Sequence, residues 1–196
     1  MNNYRKWAMM LFLGLLSSAS ALAEKPKMAT VDMQQLFREY HRTVTAQKHF
    51  NAEYAKIQKS VDEKGAIIQR MTTALNTINI ALQKEGISAE DKKAKQREGQ
   101  LIFQEIKIAQ RNIEVYGQKQ REVLAHKKAA SMQGIMTDIR KQVVSLSEKI
   151  GYDYVFDRSG LNTNQTSFFL YLKDATEITS TMLKELNKFA PGADSQ

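Results

Sequence analysis

The chain has 196 residues, with 29 Lys+Arg against 21 Asp+Glu, a formal net charge of +8 and no cysteine. Without cysteine there is no disulfide scaffold, no thiol nucleophile and no Cys-ligated metal, so packing or association of copies must hold the fold. A cationic excess of this kind would suit nucleic acid in a cytosolic protein, but the N-terminal segment points to another compartment.

Arg5 and Lys6 precede the apolar run Trp7–Leu16, and Ala21-Leu22-Ala23 supplies a small-x-small cleavage site. This pattern predicts a secretory signal over residues 1–23 and a mature chain that starts at Glu24. The run is short of the roughly 20 residues that a membrane span needs, and no cysteine follows it to carry a lipid. The expected location is therefore the periplasm. The mature chain would keep 27 Lys+Arg against 21 Asp+Glu, net +6. The charge is uneven: Arg38 to Ile150 holds 21 basic and 13 acidic residues, net +8, while the rest of the mature chain holds 6 and 8, net −2.

Met28-Ala29-Thr30-Val31 reads as a short strand, and the following MQQLFREYHRT enters a helix with no proline to stop it. Apolar residues then step by four and three through Phe50, Tyr54, Ile57, Val61, Ile68, Met71, Leu75, Ile78 and Leu82. That narrow stripe is the seam of a coiled coil. KEGISAED interrupts it, with Gly86 fitting the residue after a helix end and Ser88 with Asp91 fitting a capping box. A second seam follows at Ile102, Ile106, Ala109, Ile113, Tyr116 and Val123. Two such stripes joined by a short turn must fold back antiparallel, each covering the other, in arms of about 55 Å.

The apolar face widens over Met132, Ile135, Met136, Ile139, Val143, Leu146 and Ile150, as for a helix packed on a body, and Gly151 ends it. Tyr152–Asp157 and Ser167–Leu172 (SFFLYL) read as further strands, and a last amphipathic helix carries Ile178, Met182, Leu183 and Leu186, capped by Asp174 with Glu177 or by Thr176. The hairpin brings both chain ends to its root, so MATV would complete a small sheet whose open edges call for partners. The expected divisions are a cleaved signal at 1–23, a discontinuous β/α oligomerisation body at 24–37 and 150–190, a helical arm at 38–149 with its tip near 84–91, and a tail at 191–196.

The order of a signal peptide, KMATVDMQQLF (Lys27–Phe37), a long charged hairpin, YDYVFD (Tyr152–Asp157) and YLKDATEITSTMLKELNK (Tyr171–Lys188) resembles the Skp (OmpH-like) family of periplasmic chaperones. Ala175 stands where family members typically carry Ile or Leu. The resemblance implies a mainly α fold with a small β body, assembled as a homotrimer whose tentacle-like hairpins surround a cavity. It also implies an ATP-independent holdase that keeps unfolded outer-membrane β-barrel proteins from aggregating before insertion. A coiled-coil envelope tether and an export-channel adaptor are the alternatives. The tether calls for stiff, glycine-free arms and an anchoring signal, the adaptor for further globular modules.

Lys84, Lys92, Lys93, Lys95 and Arg97 cluster near the tip, and Ile80, Ile87, Leu101, Phe103 and Ile108 lie outside the seam. These are the candidate contacts to clients or to an anionic surface of lipid or lipopolysaccharide. The alternatives are a solvated helix face for the charges and packing on the facing arm for the apolar residues. Gly65, Gly99, Gly117 and Gly134 are candidate points of arm flexure or of close helix approach. No catalytic residue, metal site or cofactor is expected. There is no G-x-S-x-G and no phosphate loop, and His49 with Glu53 is a two-ligand pair at most. Nucleic acid is not an expected partner behind an export signal.

Overall fold

The computed structural model describes residues 25–191, so the signal reading of 1–23 and most of the tail lie outside the described residues. The elements in order are β1 (Met28–Val31), α1 (Met33–Glu39), α2 (His41–Leu82), α3 (Ala89–Ile150), β2 (Tyr154–Asp157), β3 (Thr176–Glu177) and α4 (Thr179–Asn187). The chain is thus mostly helical with a three-stranded sheet.

The sheet has the order β2-β1-β3, with both pairs parallel. Met28 to Val31 register against Tyr154 to Asp157, and Ala29 and Thr30 against Thr176 and Glu177. Parallel neighbours need a long crossover, and here the crossover is the whole helical hairpin. Two aspartates clamp the ends of this pairing. The Lys27 amide donates to Asp153 Oδ2 at 2.7 Å, and Asp157 Oδ1 accepts from the Met33 amide at 3.3 Å and the Ser159 amide at 2.8 Å. They form no carboxylate pair; each satisfies backbone donors that flank a strand.

Alternation puts Ala29 and Val31 inward, where they join Leu36, Tyr40, Ile135, Ile139, Val143, Ile178, Met182 and Leu186 in one buried cluster. Strand β1 and helices α1, α3 and α4 supply it, with Tyr40 and Ile178 from the connections; β2 only packs half-buried Val155 against it, and β3 is exposed. Ile150, expected on this face, is instead exposed, because the wide face ends a turn earlier at Ser147. Gly151 terminates α3 at φ +83°, and the amides of Gly151 and Tyr152 both reach the Ser147 carbonyl at 3.0 Å. A left-handed residue is needed there, which glycine supplies without strain.

The helix expected to run unbroken from Met33 breaks at Tyr40, whose ψ of 124° is extended. Its ring is buried in the core, and Asn187 of α4 satisfies both sides of the break. Asn187 Oδ1 accepts from the His41 amide at 2.8 Å, and its amide nitrogen donates to the Glu39 carbonyl at 3.0 Å. The last helix thus caps the first long one. Helix α4 itself begins one turn later than Thr176, with the Glu177 carboxylate taking the Thr179 amide at 3.0 Å and the Thr179 hydroxyl.

In the arm, α2 and α3 pack antiparallel along Phe50, Ile78 and Ile106, all buried. Ser88 caps α3 as expected, accepting from the Asp91 amide at 3.0 Å. Gly86 lies at φ +83° within the turn, three residues past the Gln83 cap and not directly after it. Two seam positions also shift. Tyr54 and Val123 are exposed, and Glu53 and Leu124 take the half-buried places. A straight helix drifts by about 20° per heptad against a 3.5-residue repeat, which walks the contact line from Tyr116 to Gly117 and from Val123 to Leu124.

Gly99 and Gly117 are buried in the seam; a Cβ on Gly117 would meet Val61 Cγ2 at 3.3 Å, while one on Gly65 or Gly134 meets nothing within 4 Å. Close approach therefore accounts for Gly117. Gly65→Ala should stabilise the mature chain by about 0.5–1 kcal/mol, the helix-propensity gain, and Gly117→Ala should gain less or lose. Urea unfolding of the two variants checks the difference. Ile139→Ala, at a fully buried position, should cost about 2–5 kcal/mol in the same assay.

Candidate functional site

Two surfaces of the molecule carry features that the fold does not consume: the flanks of the arm and the open side of the body. At the arm tip, Lys84 lies in the turn, Ile87 there is half-buried, and Lys92, Lys93 and Arg97 are exposed on the first turns of α3. Lys95 is half-buried and lines a groove of about 570 Å³ with Leu75, Leu82, Gly99 and Phe103. Phe103 is half-exposed and its ring lies under the Lys107 ammonium, 4.5 Å from the centroid. Such a cation–π contact holds a ring in place without burying it. Ile80 is 63% exposed and lines none of this groove. The structure therefore brings Lys95, Gly99 and Phe103 together and leaves the other tip cations dispersed on solvated faces. Gly65 and Gly134 are on open helix surface.

Farther down the arm lies an apolar groove of about 560 Å³ that pattern reading missed. Ile67 from α2 and Val115 from α3 line it, with Lys64, Arg111 and Lys119 around it. The signal was in the sequence: Leu101, Ile108 and Val115 recur at seven-residue spacing beside the seam, but only two of them drew attention as isolated residues.

On the body, the SFFLYL segment is not a strand. Among the described residues it pairs through an antiparallel bridge between Leu161 and Ser167, with the Phe168 amide donating to the Gly160 carbonyl at 3.3 Å, and the second edge of β1 is taken by Thr176–Glu177. An extended segment needs donors and acceptors beside it, and β1 has none left. Asn162 organises the loop ahead of it, its Oδ1 accepting from the Asn164 amide at 2.9 Å and the Thr166 amide at 3.1 Å. The result presents Phe168, Leu170 and Tyr171 outward, with Leu170 92% exposed. Phe169 packs on Phe156 of β2 at 5.0 Å between centroids, and Phe156 stacks on Tyr154. Beside this strip is a groove of about 810 Å³ lined by Val31, Met136, Val143, Val155 and Leu161.

The electrostatics are those of a solvated surface. Lys56, 2.7 Å from Glu53, holds that carboxyl below the ordinary range. Tyr40, followed by Asp138 at 2.6 Å, raises the Arg42 guanidinium. Among the described residues no three His, Asp or Glu side chains converge as a metal site, and no helix is long and apolar enough to cross a membrane.

The chain is thus a long antiparallel helical hairpin set on a small parallel-stranded body, with apolar surface left open on both. The family model described as outer membrane protein (OmpH-like) matches residues 27–186, which is most of the described chain. The chain belongs to this family, the Skp/OmpH-like family of periplasmic chaperones. No curated protein matches it significantly.

Removing the Asn162 side chain should free the loop without unfolding the core, because all its bonds are local. In Asn162→Ala, hydrogen exchange at the Asn164 and Thr166 amides should accelerate, while protection at Ile139 stays unchanged.

Proposed function

We propose that the mature chain is an ATP-independent periplasmic holdase that binds unfolded outer-membrane β-barrel proteins and prevents their aggregation before insertion. It would act as a homotrimer, with residues 24–37 and 150–190 as the joining body, residues 38–149 as three arms around a shared space, and residues 1–23 cleaved on export. Its work is binding, with no catalytic step and no cofactor. An anionic lipid or lipopolysaccharide surface is a further partner for the tip cations Lys84, Lys92, Lys93, Lys95 and Arg97.

The observation that carries this reading is the strip Phe168–Tyr171 beside the open edge of β2. A strip this apolar and this exposed is a docking surface or an aggregation hazard. A second copy would supply both the strand partner that SFFLYL lacks and the filling for the 810 Å³ groove. A client destined to become a barrel exposes alternating apolar side chains. Enclosure keeps it from meeting another copy, and many weak contacts allow release without nucleotide.

Purified mature chain should sediment at three times the chain mass and should suppress light scattering when an unfolded barrel protein is diluted from denaturant. Leu170→Asp with Tyr171→Asp should shift the mass to a single copy and abolish suppression. A single-copy wild type, or a wild type that leaves scattering unchanged, overturns the reading. Raising the salt should weaken client binding, since exposed charges are screened beyond about 8–10 Å near 0.1–0.15 M.

A further inference from the structure

The mid-arm groove has an unusual lining for so charged a helix pair. Ile67 and Val115 form its apolar walls, and both are about half exposed, at 49% and 57%. Ile108 and Leu101, 60% and 62% exposed, continue the α3 wall toward the tip. Residues seven apart lie within about 20° of one line on a helix, so Leu101, Ile108 and Val115 form a row of roughly 21 Å. Lys64, Arg111 and Lys119 edge the groove, and no carboxylate lines it. None of these three cations forms an ion pair among the described residues. Lys64 instead rests over the Tyr116 ring, 5.5 Å from its centroid.

Neither property is explained by the stability of the arm. The buried seam lies beside this row and does not include it, and three like charges around one depression repel one another. The occupant that relieves both costs is apolar in the middle and anionic at its borders. A second arm is the wrong occupant, because Arg38 to Ile150 carries 21 basic residues against 13 acidic ones and would bring more positive charge. The geometry points to a client-docking groove at Ile67 and Val115, continued toward the tip by Ile108, that selects segments of unfolded polypeptide in which apolar side chains are flanked by Asp or Glu. This inference rests on the holdase reading and adds the arm face that meets the client and the sequence character it prefers. It also requires that this face, and not the Phe103 side, be turned toward the shared space.

The test uses the full mature chain and two labelled peptides of equal length, one with leucines flanked by glutamates and one with lysines in place of the glutamates. Wild type should bind the acidic peptide and discriminate against the basic one. Ile67→Ser with Val115→Ser should weaken acidic-peptide binding about tenfold, the loss expected for two partly buried apolar contacts. Lys64→Glu, Arg111→Glu and Lys119→Glu together should reverse the preference between the peptides. All the substituted side chains are exposed or edge the groove, and far-UV circular dichroism melts confirm that each variant keeps its arm. A photo-crosslinker placed at Val115 should capture an unfolded barrel protein, whereas one at Val123 should not.

Two failures are distinguishable. If wild type does not suppress scattering, the holdase reading falls and this one with it. If wild type suppresses scattering but the variants bind both peptides as wild type does, or the crosslinker labels equally from Val123, the groove assignment alone is overturned. Protection of the groove by anionic vesicles, with no peptide bound, overturns it also and assigns the cations to lipid.

Discussion

The structure depends on the backbone pairing of four residues, Met28 to Val31, with strands that lie more than a hundred residues away in the chain. A hairpin of two long helices has no intrinsic reason to close at its root; its free ends can fray like any helix ends. Strand β1 closes it by sharing one edge with β2 and the other with β3. The two core positions of that strand, Ala29 and Val31, sit under the helices that enter and leave the arm. The entropic cost of such a closure grows only with the logarithm of loop length. The preformed helices make the loop stiff as well as long.

Because β1 is in the middle, the edges that remain open belong to β2 and to the two-residue β3. The exposed apolar surface on the sheet side of the body goes with that order. Tyr154 and Phe156 occupy the outer strand, Phe169 packs onto Phe156, and the rest of SFFLYL stands beside them without a partner. The body is therefore well packed on its helix side and unfinished on its sheet side. Among the described residues the body's core cluster has ten buried members, which is little beside so much exposed helix, and association is the usual remedy for a small core.

The strongly periodic parts of this arrangement were legible in the sequence. The two seams, the turn with its Ser88 cap, the Gly151 stop, the strand Met28–Val31 and a strand within Tyr152–Asp157 all follow from local patterning, the last beginning two residues later, at Tyr154. What escaped reading has a common cause, dependence on distant residues. The break at Tyr40 is stabilised by Asn187, 146 positions from His41. Strand β3 is two exposed residues with no pattern of their own, recruited by the free edge of β1. SFFLYL has every local mark of a strand and is not one, because propensity cannot supply a neighbour. At the site the same division holds: Ile80, Ile87 and Phe103 were visible as apolar residues outside the seam, but that Val115 and Ile67 share a groove depends on how two helices drift past one another.

The charge distribution ties the two halves together. The body segments carry a slight negative excess, while the arm carries +8. If copies join through their bodies, the small net charge there opposes the contact only weakly, but each arm repels its neighbours along its whole length. Repulsion of this kind acts over about 8–10 Å at physiological salt, enough to keep slender arms from collapsing on one another through rows such as Leu101, Ile108 and Val115. The space between them would then stay open when empty. An acidic, apolar occupant lowers the repulsion and covers the rows at once, so filling the space stabilises the filled state without any conformational fuel. In such an assembly a neutral arm of the same shape would lack the repulsion that keeps the arms apart, and one with its apolar rows replaced by polar residues would lack the surface on which an apolar segment could rest.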